Sequence, residues 1–177
     1  MKILLLCEPR SGSTNLANWF YLHKKITVLF EPISNTKNPL KEFSFQTEHL
    51  LVKETFNNYD RFDNLINDYD KLICLYREDF KNQFESWINA KKTDNWDGQY
   101  IFNSQYDLNE ETFFKNLKQS FKEKFIDKKY FSISYEDLYY ENGIEKIIEY
   151  LGLDFLKIEN WPVGFKYRIN KKQKTLL

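Results

Sequence analysis

Five short apolar runs, separated by segments with helical character, constrain this chain more than any other feature. The runs are 2–8 (KILLLCE), 26–31 (ITVLFE), 49–54 (HLLVKE), 71–77 (KLICLYR) and 130–135 (YFSISY). Helices are expected between and after them, at 13–24, 60–69, 79–93, 109–126 and 141–151. Gly152 suits the left-handed position that closes the last one. Strand–helix alternation of this kind specifies an α/β fold with a largely parallel central sheet flanked by helices. At 177 residues the chain makes one domain, 1–177, large enough to bury a core without disulfide or metal staples. The stretch 94–108 and the tail 166–177 read as loop.

Charge narrows the class of partner. Basic and acidic residues balance at 26 each, so no broad field for nucleic acid or a membrane surface is expected, and any anion site must be local. Cys7 and Cys74 lie inside apolar runs and read as buried free thiols, which suits a reducing, cytoplasmic setting. His23 and His49 stand alone and no Cys or His cluster has metal-ligand spacing, so no metal is expected. The opening MKILLLC is followed at once by Glu8 and Arg10. It is too short for the ~7–15-residue apolar region of a signal peptide, and no run approaches the ~18 residues of a membrane span. A monomer or homodimer acting on a small molecule or glycan is the expectation.

The first four apolar runs all end in charge: Glu8-Pro9-Arg10, Glu31-Pro32, Lys53-Glu54 and Arg77-Glu78-Asp79. In an open parallel sheet the carboxyl ends of the strands share one edge, where ligands bind. Only four basic residues are arginine (10, 61, 77 and 168), and two of them stand at these strand ends. Arginine is the side chain suited to bidentate contacts with phosphate. The first strand runs into Pro9-Arg10-Ser11-Gly12-Ser13-Thr14-Asn15-Leu16 and then a helix. Gly12, alone among the first 97 residues, is a glycine. It lets backbone approach a ligand closely, Ser13 or Thr14 can cap the helix, and the free N–H groups there favour an anion.

The loop lacks the GK[ST] ending of a Walker P-loop, and Ser13 stands where a cysteine phosphatase would need an arginine after Cys7. PRSGSTNL does resemble the 5′-phosphosulfate loop of sulfotransferases that use 3′-phosphoadenosine 5′-phosphosulfate (PAPS), in the form that carries arginine. Tyr76-Arg77-Glu78-Asp79-Phe80-Lys81-Asn82-Gln83-Phe84-Glu85-Ser86-Trp87 resembles the 3′-phosphate motif of the same family, and its spacing is most similar to the bacterial trehalose 2-sulfotransferase branch. Asp79, Gln83, Ser86 and Ala90 would form a polar stripe facing the nucleotide, beside an aromatic stripe of Phe80, Phe84 and Trp87. Tyr135-Glu136-Asp137-Leu138, with the helix ending EYLGLD, is similar to the family's Y-E-D-L segment, whose tyrosine lies near the adenine. Phe30-Glu31-Pro32 resembles the F/Y-E-P of carbohydrate sulfotransferases, whose glutamate is the base. The sequence departs from the trehalose branch at Ser34, where that branch has a further glutamate, and from the steroid and phenol enzymes at Lys53-Glu54-Thr55, which has no histidine.

The resemblance implies a three-layer P-loop-like sulfotransferase fold, PAPS as co-substrate without a metal, and transfer of a sulfuryl group to a hydroxyl of a carbohydrate or other small acceptor. Arg10, Ser11, Gly12, Ser13, Thr14 and Asn15 would hold the 5′-phosphosulfate. Arg77 and Ser86 would read the 3′-phosphate, with Tyr135 near the base of the nucleotide. Lys53 would bind sulfuryl oxygens. Glu31 is the candidate base and Glu54 the second choice, Glu31 being expected beside the carboxyl end of the first strand. Trp96, Tyr100 and Tyr106 are candidates to stack on an acceptor, and Arg168, Lys171 and Lys172 either fold over the nucleotide or form a solvated tail. Two rival readings remain open: an ATP-using phosphotransferase, and a non-catalytic nucleotide-binding relative.

Overall fold

The computed structural model describes residues 1–32, 46–57, 66–94, 108–128, 130–156 and 161. Five strands, β1 (Lys2–Cys7), β2 (Ile26–Phe30), β3 (His49–Thr55), β4 (Lys71–Tyr76) and β5 (Phe131–Ser134), form one sheet in the order β2-β3-β1-β4-β5. All four pairings are parallel, with Leu5 level with Lys53 on one side and with Ile73 on the other. The helices are α1 (Ser13–Tyr21), α2 (Phe80–Thr93), α3 (Leu108–Phe121), α4 (Tyr135–Tyr140) and α5 (Gly143–Leu151), and α3 widens into a π-helical segment at Lys122–Ile126.

β1 lies at the centre and its residues Ile3 to Cys7 are wholly buried, as a strand covered on both faces must be. Its odd-numbered residues face α1, α4 and α5, joining Leu51, Ile73, Leu75 and Ile133 in one core. Its even-numbered residues join Val52, Cys74, Phe121 and Phe125 in a second core under α3. Aromatic residues of α2 and α3, Phe84 and Phe114 with Phe80 and Trp87, make a third cluster.

Three expectations need correction. The segment 60–69 was expected to be a helix, but its described part holds only a 3-10 turn at Ile66–Asp68. Tyr135 does not continue β5: Ser134 accepts the Asp137 N–H at 2.9 Å and so starts α4 there, a helix absent from the expected set. Finally, β2 is separated from β1 by β3. Cys7 and Cys74 are buried free thiols, as expected, and burial pushes Cys74 up to about 12. Among the described residues, no helix is long and apolar enough to cross a membrane.

One consequence of this packing is a pH-dependent stability. His23 is buried, edge-on to Trp19 at 5.1 Å between ring centroids, and burial lowers its pKa from the ordinary 6.5. His49, stacked on Phe155 at 5.4 Å, is lowered by burial too. The unfolded chain therefore takes up protons that the folded chain resists. Stability should be full above about pH 6.5 and decline as pH falls through that value towards the folded pKa values. Thermal denaturation followed from pH 7.5 to pH 5.5 checks this, and His23→Phe with His49→Phe should flatten the decline.

Candidate functional site

The strand order puts a switch point between β1 and β4. The connection leaving β1 leads to the β2–β3 side of the sheet and the one leaving β4 leads to β5, so a crevice opens between their carboxyl ends. Both arginines singled out in the sequence stand there.

In the turn between β1 and α1, Arg10 has φ 61° and Gly12 φ 79°. A non-glycine residue in this region is strained by about 1–3 kcal/mol, and such strain gathers at functional sites. Ser11 is buried and its hydroxyl donates to the Glu8 carbonyl at 2.8 Å. Gly12 is the N-cap of α1, which corrects the expected capping role of Ser13 or Thr14; these are the first helical residues, Ser13 buried and Thr14 exposed. The N–H groups of Asn15 and Leu16 return to the Gly12 carbonyl at 3.1 and 3.4 Å, and no side chain caps the helix. The helix thus opens on uncapped N–H groups at its positive dipole end, an arrangement suited to an anion.

Gly12 has no room for a side chain. A Cβ built on it would lie 2.9 Å from Tyr135 Cδ2 and 2.9 Å from Tyr139 Cε2. The Tyr139 hydroxyl donates to the Gly12 carbonyl at 2.8 Å, which ties α4 to the turn. Tyr139 gave no distinct signal in the sequence, since no helix was expected at Tyr135–Tyr140 and a tyrosine by itself carries none.

The second half of the site meets the first directly. Arg10 Nε donates to the buried Ser86 Oγ at 2.8 Å, joining two residues 76 positions apart. The Arg77 guanidinium lies 4.5 Å from the centroid of the Tyr135 ring, and Tyr135 is also the residue that closes over Gly12. Arg77 Nε is buried without a hydrogen-bond partner, and Glu136 Oε1 lies 3.9 Å from it. Glu136 accepts the N–H groups of Glu78 and Asp79 at 3.0 and 3.3 Å and so shapes the turn that carries Arg77. Of the expected polar stripe on α2, Gln83, Ser86 and Ala90 are buried, whereas Asp79 is the exposed N-cap and accepts the Asn82 N–H at 3.0 Å. A cavity of about 600 Å³ opens on the α3 side of Arg77, bordered by Tyr76, Phe80, Lys115, Lys118 and Lys122.

The remaining predicted residues form a cluster at the ends of β2 and β3. Glu31, at φ 52°, accepts hydrogen bonds through Oε1 from Lys53 Nζ and, at 2.7 Å, from the Thr55 hydroxyl. Lys53 is buried and also donates to Thr55 Oγ1 at 2.9 Å. Burial alone would raise the Glu31 carboxyl, but the Lys53 charge and these hydrogen bonds outweigh it and hold the group below the ordinary carboxylate value. Burial alone would lower the Lys53 ammonium; its anionic neighbours overcome this and raise it.

Because β3 lies between β2 and β1, Glu31 meets the cradle through intermediaries. Thr55 Oγ1 stands 3.9 Å from Cys7 Sγ, and the Cys7 thiol interacts with the Ser13 hydroxyl. Thr55 was missed because a threonine ending a strand carries no signal of its own. Glu54, the second-choice base, is wholly buried on the opposite sheet face, that of Leu50 and Val52, so Lys53 and Glu54 do not share a site. Ser34, Trp96, Tyr100, Tyr106, Arg168, Lys171 and Lys172 lie outside the described residues.

No protein-family model matches the sequence, and no curated protein matches it. Among solved structures, the chain is similar to a mouse sulfotransferase, SULT7A1, complexed with PAP, at 18% identity and a TM-score of 0.61. The likeness covers 94% of this chain but 63% of that one, so the chain spans less than two thirds of the neighbour's length. At this identity the likeness establishes a sulfotransferase-like fold.

Proposed function

We propose that this chain is a PAPS-dependent sulfotransferase that transfers a sulfuryl group to a hydroxyl of a carbohydrate or another small acceptor. The observation that carries this reading is the convergence of two arginines on the Gly12 turn, Arg10 within it and Arg77 stacked on the Tyr135 ring that closes over Gly12. Arg10 is hydrogen-bonded to Ser86, while Arg77 holds a buried Nε with no hydrogen-bond partner. A nucleotide with anionic groups at both 5′ and 3′ positions fits such a pair, and the helix start beside Arg10, which no side chain caps, fits one of its phosphates.

In this reading Arg10 and the uncapped N-terminus of α1, with Ser11, Ser13, Thr14 and Asn15 around it, hold the 5′ end and balance charge on the departing phosphate. Arg77 and Ser86 bind the 3′-phosphate, and Tyr135 orients Arg77 through its ring face. The bound donor supplies an activated sulfuryl group. Glu31, ionised at neutral pH like an ordinary carboxylate and held lower still by Lys53 and Thr55 against the effect of burial, accepts the proton of the attacking hydroxyl. Lys53 and Thr55 hold the Glu31 carboxylate in place, and Lys53 supplies the positive charge for sulfuryl oxygens. The carbohydrate acceptor rests on the Phe30-Glu31-Pro32 resemblance.

Binding measurements with adenosine 3′,5′-bisphosphate, AMP and ATP·Mg²⁺ test the reading. The bisphosphate should bind best, and Arg77→Ala should remove most of its advantage over AMP. A charge-assisted hydrogen bond contributes about 1.5–3 kcal/mol, or roughly 10- to 150-fold in affinity. Equal binding of bisphosphate and AMP by the unmodified protein, or a clear preference for ATP·Mg²⁺, overturns the reading.

A further inference from the structure

Beneath the two arginine-bearing turns, Glu8, Gln83 and Lys118 form a closed hydrogen-bonded set. Glu8 Oε2 accepts from Lys118 Nζ at 2.7 Å, from Gln83 Nε2 at 3.0 Å and from the peptide N–H of Arg77 at 3.1 Å. Lys118 Nζ also donates to Gln83 Oε1 at 2.7 Å and to the carbonyl of Arg77 at 2.6 Å. Gln83 Nε2 makes a second bond, at 2.8 Å, to the carbonyl of Pro9. The three ammonium protons of Lys118 and the two amide protons of Gln83 all have acceptors. Glu8 is 3% exposed and Gln83 is wholly buried.

The set reaches both halves of the site through backbone. The backbone of Arg77 is held on both sides, its N–H donating to Glu8 and its carbonyl accepting from Lys118. The carbonyl that precedes the strained Arg10 is held by Gln83. A buried ion pair of this kind is a poor source of net stability, because desolvating the two charges offsets their attraction and an apolar replacement often serves as well. What it supplies here is geometry: four elements, the ends of β1 and β4 together with α2 and α3, meet at one carboxylate.

We propose that Glu8, Gln83 and Lys118 are positioning residues that set the separation of the two anion subsites, and so select a ligand carrying two anionic groups over one carrying a single group. The proposal rests on the reading above, in which the site takes a 3′,5′-bisphosphorylated nucleotide. None of the three needs to touch that ligand. They act through the backbone of Arg77 and Pro9.

Two variants separate positioning from general support of the fold. Gln83→Met removes the link to Pro9 while leaving the Glu8–Lys118 ion pair, and Glu8→Gln with Lys118→Met removes both charges together, so that neither is left buried alone. Calorimetry with adenosine 3′,5′-bisphosphate and with AMP should show at least a tenfold loss for the bisphosphate in each variant and less than a threefold change for AMP. Bisphosphate affinity within threefold of the unmodified protein, or equal losses for both ligands, overturns the proposal. Failure of both variants to fold also overturns it, since the set is then a requirement of the fold itself. If the unmodified protein does not distinguish the two ligands, the functional reading fails separately. Amide exchange then decides the coupling: Gln83→Met should speed exchange at both Arg10 and Arg77 at least tenfold, and unchanged exchange overturns it.

Discussion

Replacing Gly12 with valine is expected to abolish nucleotide binding and to lower the stability of the fold as well. Gly12 sits at φ 79°, where a residue with a Cβ costs about 1–2 kcal/mol. The added carbon would fall 2.9 Å from two tyrosine rings, and overpacking of this kind costs about 1–3 kcal/mol more. Tyr135 and Tyr139 close on the glycine from α4, and retreat of either would move the Arg77 stack or the Tyr139–Gly12 hydrogen bond. A total of about 2–5 kcal/mol should lower the thermal midpoint by roughly 4–20 °C. Gly12→Ala, with a smaller side chain at the same φ, should show an intermediate loss of stability and a near-complete loss of binding. Thermal denaturation paired with calorimetry checks both. A valine variant that binds adenosine 3′,5′-bisphosphate normally would show that the turn is not the 5′ site.

The second large effect is expected at Glu31. Glu31→Gln keeps an oxygen that can accept from Lys53 and Thr55 but cannot take a proton, so turnover should fall by about 10²–10⁴-fold with nucleotide affinity nearly unchanged. A moderate loss of stability should accompany it, because the buried Lys53 loses its counter-charge. The pH profile supplies a second test. A carboxyl held below the ordinary value of 4.5 stays ionised down to that lower pKa, so the acid limb of kcat/KM should lie below about pH 4.5 and disappear in the variant. The same depression stabilises the fold above about pH 4.5 and is lost as pH falls through the folded pKa. Glu54→Gln is the control, and with its side chain buried on the other face of the sheet it should alter stability and leave turnover intact. Wild-type turnover in Glu31→Gln would remove this residue from the chemistry and leave the proton to water or to the departing group.

The five strands, their parallel direction and the glycine turn between β1 and α1 were legible in the sequence, because each is a local pattern. An apolar run must be buried, a lone glycine between a strand and a helix marks a turn, and an arginine after a strand belongs at the sheet's carboxyl edge. Local patterns placed Arg10, Gly12 and Arg77 at one sheet edge, the sulfotransferase resemblance added Ser86 and Tyr135, and in the structure the five lie side by side. Tertiary structure alone decided which strand lies beside which. β3 fills the place next to β1, so Glu31 is reached across Lys53 and Thr55, and its expected place beside β1 is lost. It also decided which way each residue of a doubly buried strand faces. Leu51 and Val52 are equally apolar, so hydrophobicity could not say that Lys53 turns towards the cradle and Glu54 away from it. The Glu8–Gln83–Lys118 set was invisible for the same reason: its members lie up to 110 residues apart, and only close packing of α2 and α3 against the ends of β1 and β4 makes the Glu8 carboxylate the partner of Gln83, Lys118 and the Arg77 N–H.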